Sequence, residues 1–113
     1  MENSIRLTAF FLKKAKRLLK KYHTLQSSLK QLEIDLKVNP KLGVSYGANI
    51  YKVRLADESK GKGKSGGFRV ITYVVEESSE ATDIYLITIF DKSEEASIDK
   101  DDIREIMKTE KLI

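Results

Sequence analysis

With 113 residues, 41% of them hydrophobic, the chain has material for one modest core and not for two. It holds no cysteine and one histidine, His23, which excludes disulfides, cysteine-based metal sites and a zinc site built on His23 alone, so no cofactor or metal is expected. Net charge is +4, unevenly spread: residues 1–75 carry 16 Lys/Arg against 5 Asp/Glu (+11) and residues 76–113 carry 5 against 12 (−7), the pattern of a polyanion-facing region beside an acidic tail.

The N-terminus begins Met1-Glu2-Asn3-Ser4, with no apolar run leading to a small-residue cleavage site, and no stretch of about 18 apolar residues follows anywhere. A cytoplasmic protein with no membrane association, one domain over residues 1–113, is expected. Ile5 to Thr8 alternates as a short strand would. Phe11, Ala15, Leu18 and Tyr22 recur at helical spacing, which predicts a helix over 8–22 whose remaining surface is Lys13, Lys14, Lys16, Arg17, Lys20 and Lys21. Thr24 can cap a second helix, with Leu25, Leu29, Leu32 and Leu36 on one face, ended by Asn39-Pro40-Lys41-Leu42-Gly43. The two form an antiparallel helical hairpin.

After a glycine-containing loop over 43–47 the period changes to two. Strands are expected over 50–56, 67–75 and 84–90, joined by a Gly/Lys-rich loop (57–66) and a polar turn (76–83). Ser97 or Asp99 then caps a last helix whose apolar residues are Ile103, Ile106 and Met107. The fold class is α+β, ordered β-α-α-β-β-β-α, an antiparallel sheet packed on the N-terminal helical hairpin.

Strand alternation sorts the side chains. A symmetric meander places Arg54 opposite Arg69, and Arg69 next to Phe90. One face carries Tyr51, Val53, Leu55, Phe68, Val70, Thr72, Val74, Tyr85, Ile87 and Ile89 and should meet the helices. The other carries Lys52, Arg54, Arg69, Ile71, Tyr73, Leu86, Thr88, Phe90 and Lys92, a cationic face with interleaved aromatics that the helices leave open. Like charges opposite one another on a sheet repel, so stability alone does not select Arg54 facing Arg69; an anionic ligand relieves the repulsion. The alternative is pairing with the C-terminal helix or with Asp91, Glu94 or Glu95. Lys60-Gly61-Lys62-Gly63-Lys64-Ser65-Gly66-Gly67 resembles a P-loop only superficially: the glycine spacing is wrong and a strand follows, not a helix. A basic hairpin loop that tracks a phosphate backbone, through Lys60, Lys62 and Lys64, fits better.

The element order resembles the RelE/ParE toxin superfamily. Tyr51-Lys52-Val53-Arg54, the 60–67 run followed by Phe68-Arg69-Val70-Ile71-Thr72-Tyr73, and the segment from Ile84 to Lys92 are similar to the HigB-type branch, as is the Asn39-Pro40-x-x-Gly43 helix end. The resemblance implies the toxin of a type II toxin–antitoxin system, a ribosome-dependent messenger-RNA endoribonuclease that inhibits translation. It implies Lys52, Arg54, Arg69 and Lys92 as catalytic residues. It also implies a cognate antitoxin, a HigA-like helix-turn-helix protein through which operator DNA is bound, with the ribosome and messenger RNA as the other partners. The chain departs from the pattern at Ile98 and Phe90, where relatives carry tyrosine, and His23 lies away from the site.

Cleavage by the RNA's own 2′-hydroxyl needs a base, a stabiliser of phosphorane charge and a proton for the leaving oxygen, without metal. Arg54 and Arg69 suit phosphate. Lys52 is the candidate base, since neighbouring cations disfavour its protonated form. Arg69 or Lys92 can serve the leaving oxygen, and Phe90 or Tyr73 can stack on a base. Rival readings are a ParE-like DNA gyrase inhibitor, a non-catalytic RNA- or ribosome-binding module, and an inactive relative kept as a repressor partner.

Overall fold

The computed structural model describes residues 2–56, 67–92 and 98–113. In chain order the elements are β1 (Glu2–Leu7), α1 (Ala9–Lys21), α2 (Leu25–Val38), β2 (Val44–Gly47), β3 (Ile50–Leu55), β4 (Phe68–Glu76), β5 (Ala81–Asp91) and α3 (Lys100–Thr109). The chain is α+β, with one five-stranded sheet in the order β1-β5-β4-β3-β2. The sheet is mixed: β1 lies parallel to β5, and the other pairs are antiparallel. The expected order is present with one strand more. Val44 to Gly47, read as loop, pairs with β3 through Val44↔Lys52 and Ser45↔Tyr51.

Helices α1 and α2 cover one face. Phe11, Ala15 and Leu18 from α1 and Leu25, Leu32 and Leu36 from α2 are buried against Val53, Leu55, Phe68, Val70, Ile84, Leu86 and Ile89. Thr8 caps α1: its Oγ1 accepts from the Phe11 N–H at 3.1 Å. Thr24 precedes α2 in helical backbone and makes no capping hydrogen bond with its side chain, contrary to expectation.

The faces of β5 are corrected by a β-bulge. In register, Ile71 pairs with Thr88 but Thr72 pairs with Leu86, leaving Ile87 as an extra residue. One extra residue inverts the alternation of everything before it. Ile84 and Leu86 therefore face α1 and α2, whereas Tyr85 and Ile87 face the opposite side.

That opposite side is not open, as the sequence had suggested. Helix α3 lies on it, burying Ile103 and Met107 against Ile50, Ile71, Ile87 and Phe90, with Tyr46, Tyr73, Tyr85, Ile98 and Ile106 around them. The face was not purely cationic to begin with, and its apolar part needed a cover. Asp99 caps α3, accepting from the Asp102 N–H at 2.9 Å; Ser97, the other expected cap, lies outside the described residues. No described helix is long and apolar enough to cross a membrane.

Candidate nucleic-acid interface

The register brings the cations together at one end of the sheet. Arg54 is the partner of Arg69, and Arg69 is in turn the partner of Phe90, as alternation had placed them. Lys92 follows β5 directly, and its backbone N–H donates to the Gly67 carbonyl at 3.3 Å, which sets it beside the start of β4. Arg54 and Lys92 are exposed and Lys52 is half-buried, its Nζ 5.3 Å from the centroid of the Tyr46 ring. The contact holds the Lys52 side chain against that ring.

Arg69 differs from the others. It is only 3% exposed, and its Nη1 donates to the carbonyl of Phe68 at 3.1 Å. Burial, and then the positive charge of Arg54, hold its guanidinium below the ordinary arginine range. A buried arginine facing another arginine is costly for the fold alone. Asp91, one of the acids expected near the corner, is buried and accepts from the Tyr22 hydroxyl at 2.7 Å. Tyr22 packs with the core under α1 and α2. Glu94 and Glu95 lie outside the described residues.

The other expected contacts divide. Phe90, expected to stack on a base, is 2% exposed and lies under α3. Tyr73 is half-buried, packs toward the same cluster with its ring 6.3 Å from that of Tyr85, and pairs in register with Ile50. It stands four residues along β4 from Arg69, roughly 13 Å at about 3.3 Å per residue. Both rings are thus platform for α3, and the sequence signal for that was the apolar spacing of Ile103, Ile106 and Met107. Lys60, Lys62 and Lys64 lie outside the described residues; in sequence they join the end of β3 to the start of β4. No group of metal-ligating side chains occurs among the described residues.

Arg54, Arg69 and Lys92 thus lie at one end of a helix-capped sheet in a small α+β protein. A family model described as the RelE toxin of the RelE / RelB toxin–antitoxin system matches residues 7–113, and the chain belongs to that family. Among solved structures, E. coli toxin RelE, as a double arginine-to-alanine mutant in the free state, is similar with a TM-score of 0.57 and 16% identity, over 99% of this chain and 97% of that one. That likeness concerns the fold.

Proposed function

We propose that this toxin is a messenger-RNA endoribonuclease of the HigB type that acts on the ribosome, with catalysis by the RNA's own 2′-hydroxyl. Support comes from the Arg54–Arg69 register pair, in which two cations are set against each other at one end of the sheet. A phosphorane placed between them relieves their repulsion and gains bidentate hydrogen bonds. In the reaction the 2′-oxygen attacks the adjacent phosphorus and the bond to the 5′-oxygen breaks, leaving a cyclic phosphate and a 5′-hydroxyl. Arg54 and Arg69 hold the phosphate oxygens. Lys52 takes the 2′-hydroxyl proton, Lys92 supplies one to the leaving oxygen, and Lys60, Lys62 and Lys64 track the backbone on either side. The rings of Phe90 and Tyr73 carry α3 and give the corner a rigid floor. A HigA-like helix-turn-helix antitoxin holds the toxin inactive and links it to operator DNA.

The test is primer extension on messenger RNA from a translating extract supplied with this chain. Cleavage by the wild type is expected, with a loss of about a hundredfold or more in Arg69→Ala and Arg54→Ala. Arg69→Lys keeps the charge and loses the bidentate geometry, so it is expected to fold and to cleave poorly. Full cleavage by these variants overturns the assignment. DNA breakage without RNA cleavage identifies a gyrase inhibitor instead.

A further inference from the structure

On one side the sheet ends in β1, whose strand partner among the described residues is β5. One hydrogen bond fixes the direction of its backbone groups. The Thr8 N–H donates to the Leu86 carbonyl at 3.3 Å, so Thr8 turns its backbone toward β5. Thr8 is extended, with φ −74° and ψ 157°, so the alternation of the strand runs through it, and Arg6 and Ser4 turn the same way. The N–H and C=O of Asn3, Ile5 and Leu7 then point outward, with no strand beside them among the described residues. An edge of that kind is a template for another strand.

Over this edge lies a polar groove whose walls are β1, from Asn3 to Leu7, and the α2 residues Glu33 and Lys37. Asn3 donates from its Nδ2 to the Lys37 carbonyl at 2.7 Å, which sets Lys37 level with Asn3. Glu33 is one helical turn back, about 6 Å along α2. Two residues of strand span about 6.8 Å, and Glu33 lines the same groove along β1, so it comes level with Ile5.

We infer that β1 pairs antiparallel with β1 of a second copy of this chain, about a two-fold axis at Ser4. Asn3 of each copy exchanges both backbone hydrogen bonds with Ile5 of the other, and Ser4 faces Ser4 in the non-hydrogen-bonded position. The same rotation carries the level of Asn3 onto that of Ile5, so Lys37 of each copy meets Glu33 of the other across the joined strands. One operation matches opposite charges twice, and that selects the register: an axis at Ile5 sets Glu33 level with Glu33. The other edge of the sheet is a poor occupant. β2 is four residues long with a register shift between Ser45 and Gly47, and head-to-tail pairing of β1 with β2 does not close. Strands β5 and β4 separate β1 from β3, so both cationic corners stay uncovered, and the pairing is independent of what the corner binds.

The chain has no cysteine, so Ser4→Cys introduces a single thiol at the axis. Its α-carbon lies about 4.5 Å from that of the second copy, within disulfide reach. Mild oxidation is expected to give a covalent dimer at least about tenfold faster than with Ser45→Cys on the opposite edge. Sedimentation equilibrium of the wild type is expected to give a dimer dissociation constant below about 0.5 mM. Lys37→Glu should weaken it by about tenfold, and adding Glu33→Lys to that variant should restore it. Exchange at the Ile5 amide should slow as the wild type dimerises. Four results overturn the proposal: weaker association than this, equal cross-linking from the two cysteine positions, a double variant no tighter than Lys37→Glu, or a dimer that leaves the Ile5 amide unprotected. The wild-type sedimentation and amide measurements decide the matter if a variant folds poorly.

Discussion

Arg54 and Arg69 stand directly opposite each other on adjacent antiparallel strands, one exposed and the other 3% exposed. Like charges in that relationship cost a sheet a few tenths to about 1 kcal/mol. Removing the exposed partner takes away the repulsion without opening a cavity. Arg54→Gln is therefore expected to raise stability by about 0.2–1 kcal/mol in urea unfolding while reducing RNA cleavage. A neutral or lower stability would mean that Arg54 is balanced within the fold and is not held in place for a ligand.

Thr8 joins the helical layer to the bulge in β5. Its Oγ1 approaches the Leu86 carbonyl at 2.9 Å and that of Ile87 at 3.2 Å, and accepts from the Phe11 N–H. Thr8→Val keeps the shape and loses all three. A lost cap costs about 1 kcal/mol and a buried carbonyl deprived of a donor about 1–3 kcal/mol. A total near 2–3 kcal/mol is expected by urea unfolding, with Thr8→Ser close to wild type. If Thr8→Val matches wild type, the hydroxyl is not what holds the bulge.

The same bulge marks where the sequence stops being legible. Period-two alternation located Arg54, Arg69 and Phe90 correctly, because β3, the beginning of β4 and the end of β5 are regular on that side of Ile87. On the other side, Tyr85 and Leu86 exchange faces, and nothing in Ile84-Tyr85-Leu86-Ile87-Thr88 announces the inserted residue. β2 was hidden for a different reason: it is four residues long and lies between Gly43 and a turn in which Gly47, Ala48 and Asn49 all have positive φ. Its composition reads as loop, and only pairing with β3 makes it a strand. The amphipathic stripe of α3 was visible, but its landing place on Ile71 and Phe90 depends on tertiary packing. Arg69 is 3% exposed, so a side chain chosen from the sequence as an exposed cation is a buried one.

Tyr22 couples α1 to the end of β5. Its hydroxyl donates to the Asp91 carboxylate at 2.7 Å, and its ring meets Phe68 edge-on at 5.1 Å. Tyr22→Phe keeps the ring contact and deprives a buried carboxylate of a donor. Hydrogen bonds to charged groups contribute about 1.5–3 kcal/mol, and a loss in that range is expected at neutral pH by urea unfolding. Asp91→Asn in the Tyr22→Phe background should cost less than the sum of the two single changes, since the pair is one unit. Additive losses would show that the two residues act separately.

Helix α3 is fastened at its far end by an interaction with the first turn of α1. Glu110 accepts from the Phe10 N–H at 2.7 Å, and α1 supplies no acid of its own in that turn. The first N–H groups of a helix lack intrahelical partners and carry the positive end of its dipole, so a carboxylate there is favourable by about 0.3–1 kcal/mol beyond the hydrogen bond itself. The apolar stripe holds the middle of α3 through Ile103 and Met107, and the Glu110 contact adds a directed, charged one. Glu110→Gln keeps an acceptor and loses the charge; Glu110→Ala loses both. Local opening of α3 should become easier in that order, by about 0.5 and about 1–1.5 kcal/mol, seen as hydrogen exchange in residues 103–107 accelerated by roughly twofold and tenfold. Exchange elsewhere in the sheet should stay at the wild-type rate under native conditions. If both variants exchange as the wild type does in α3, the helix is held by Ile103 and Met107 alone, and the cap on α1 is incidental to it.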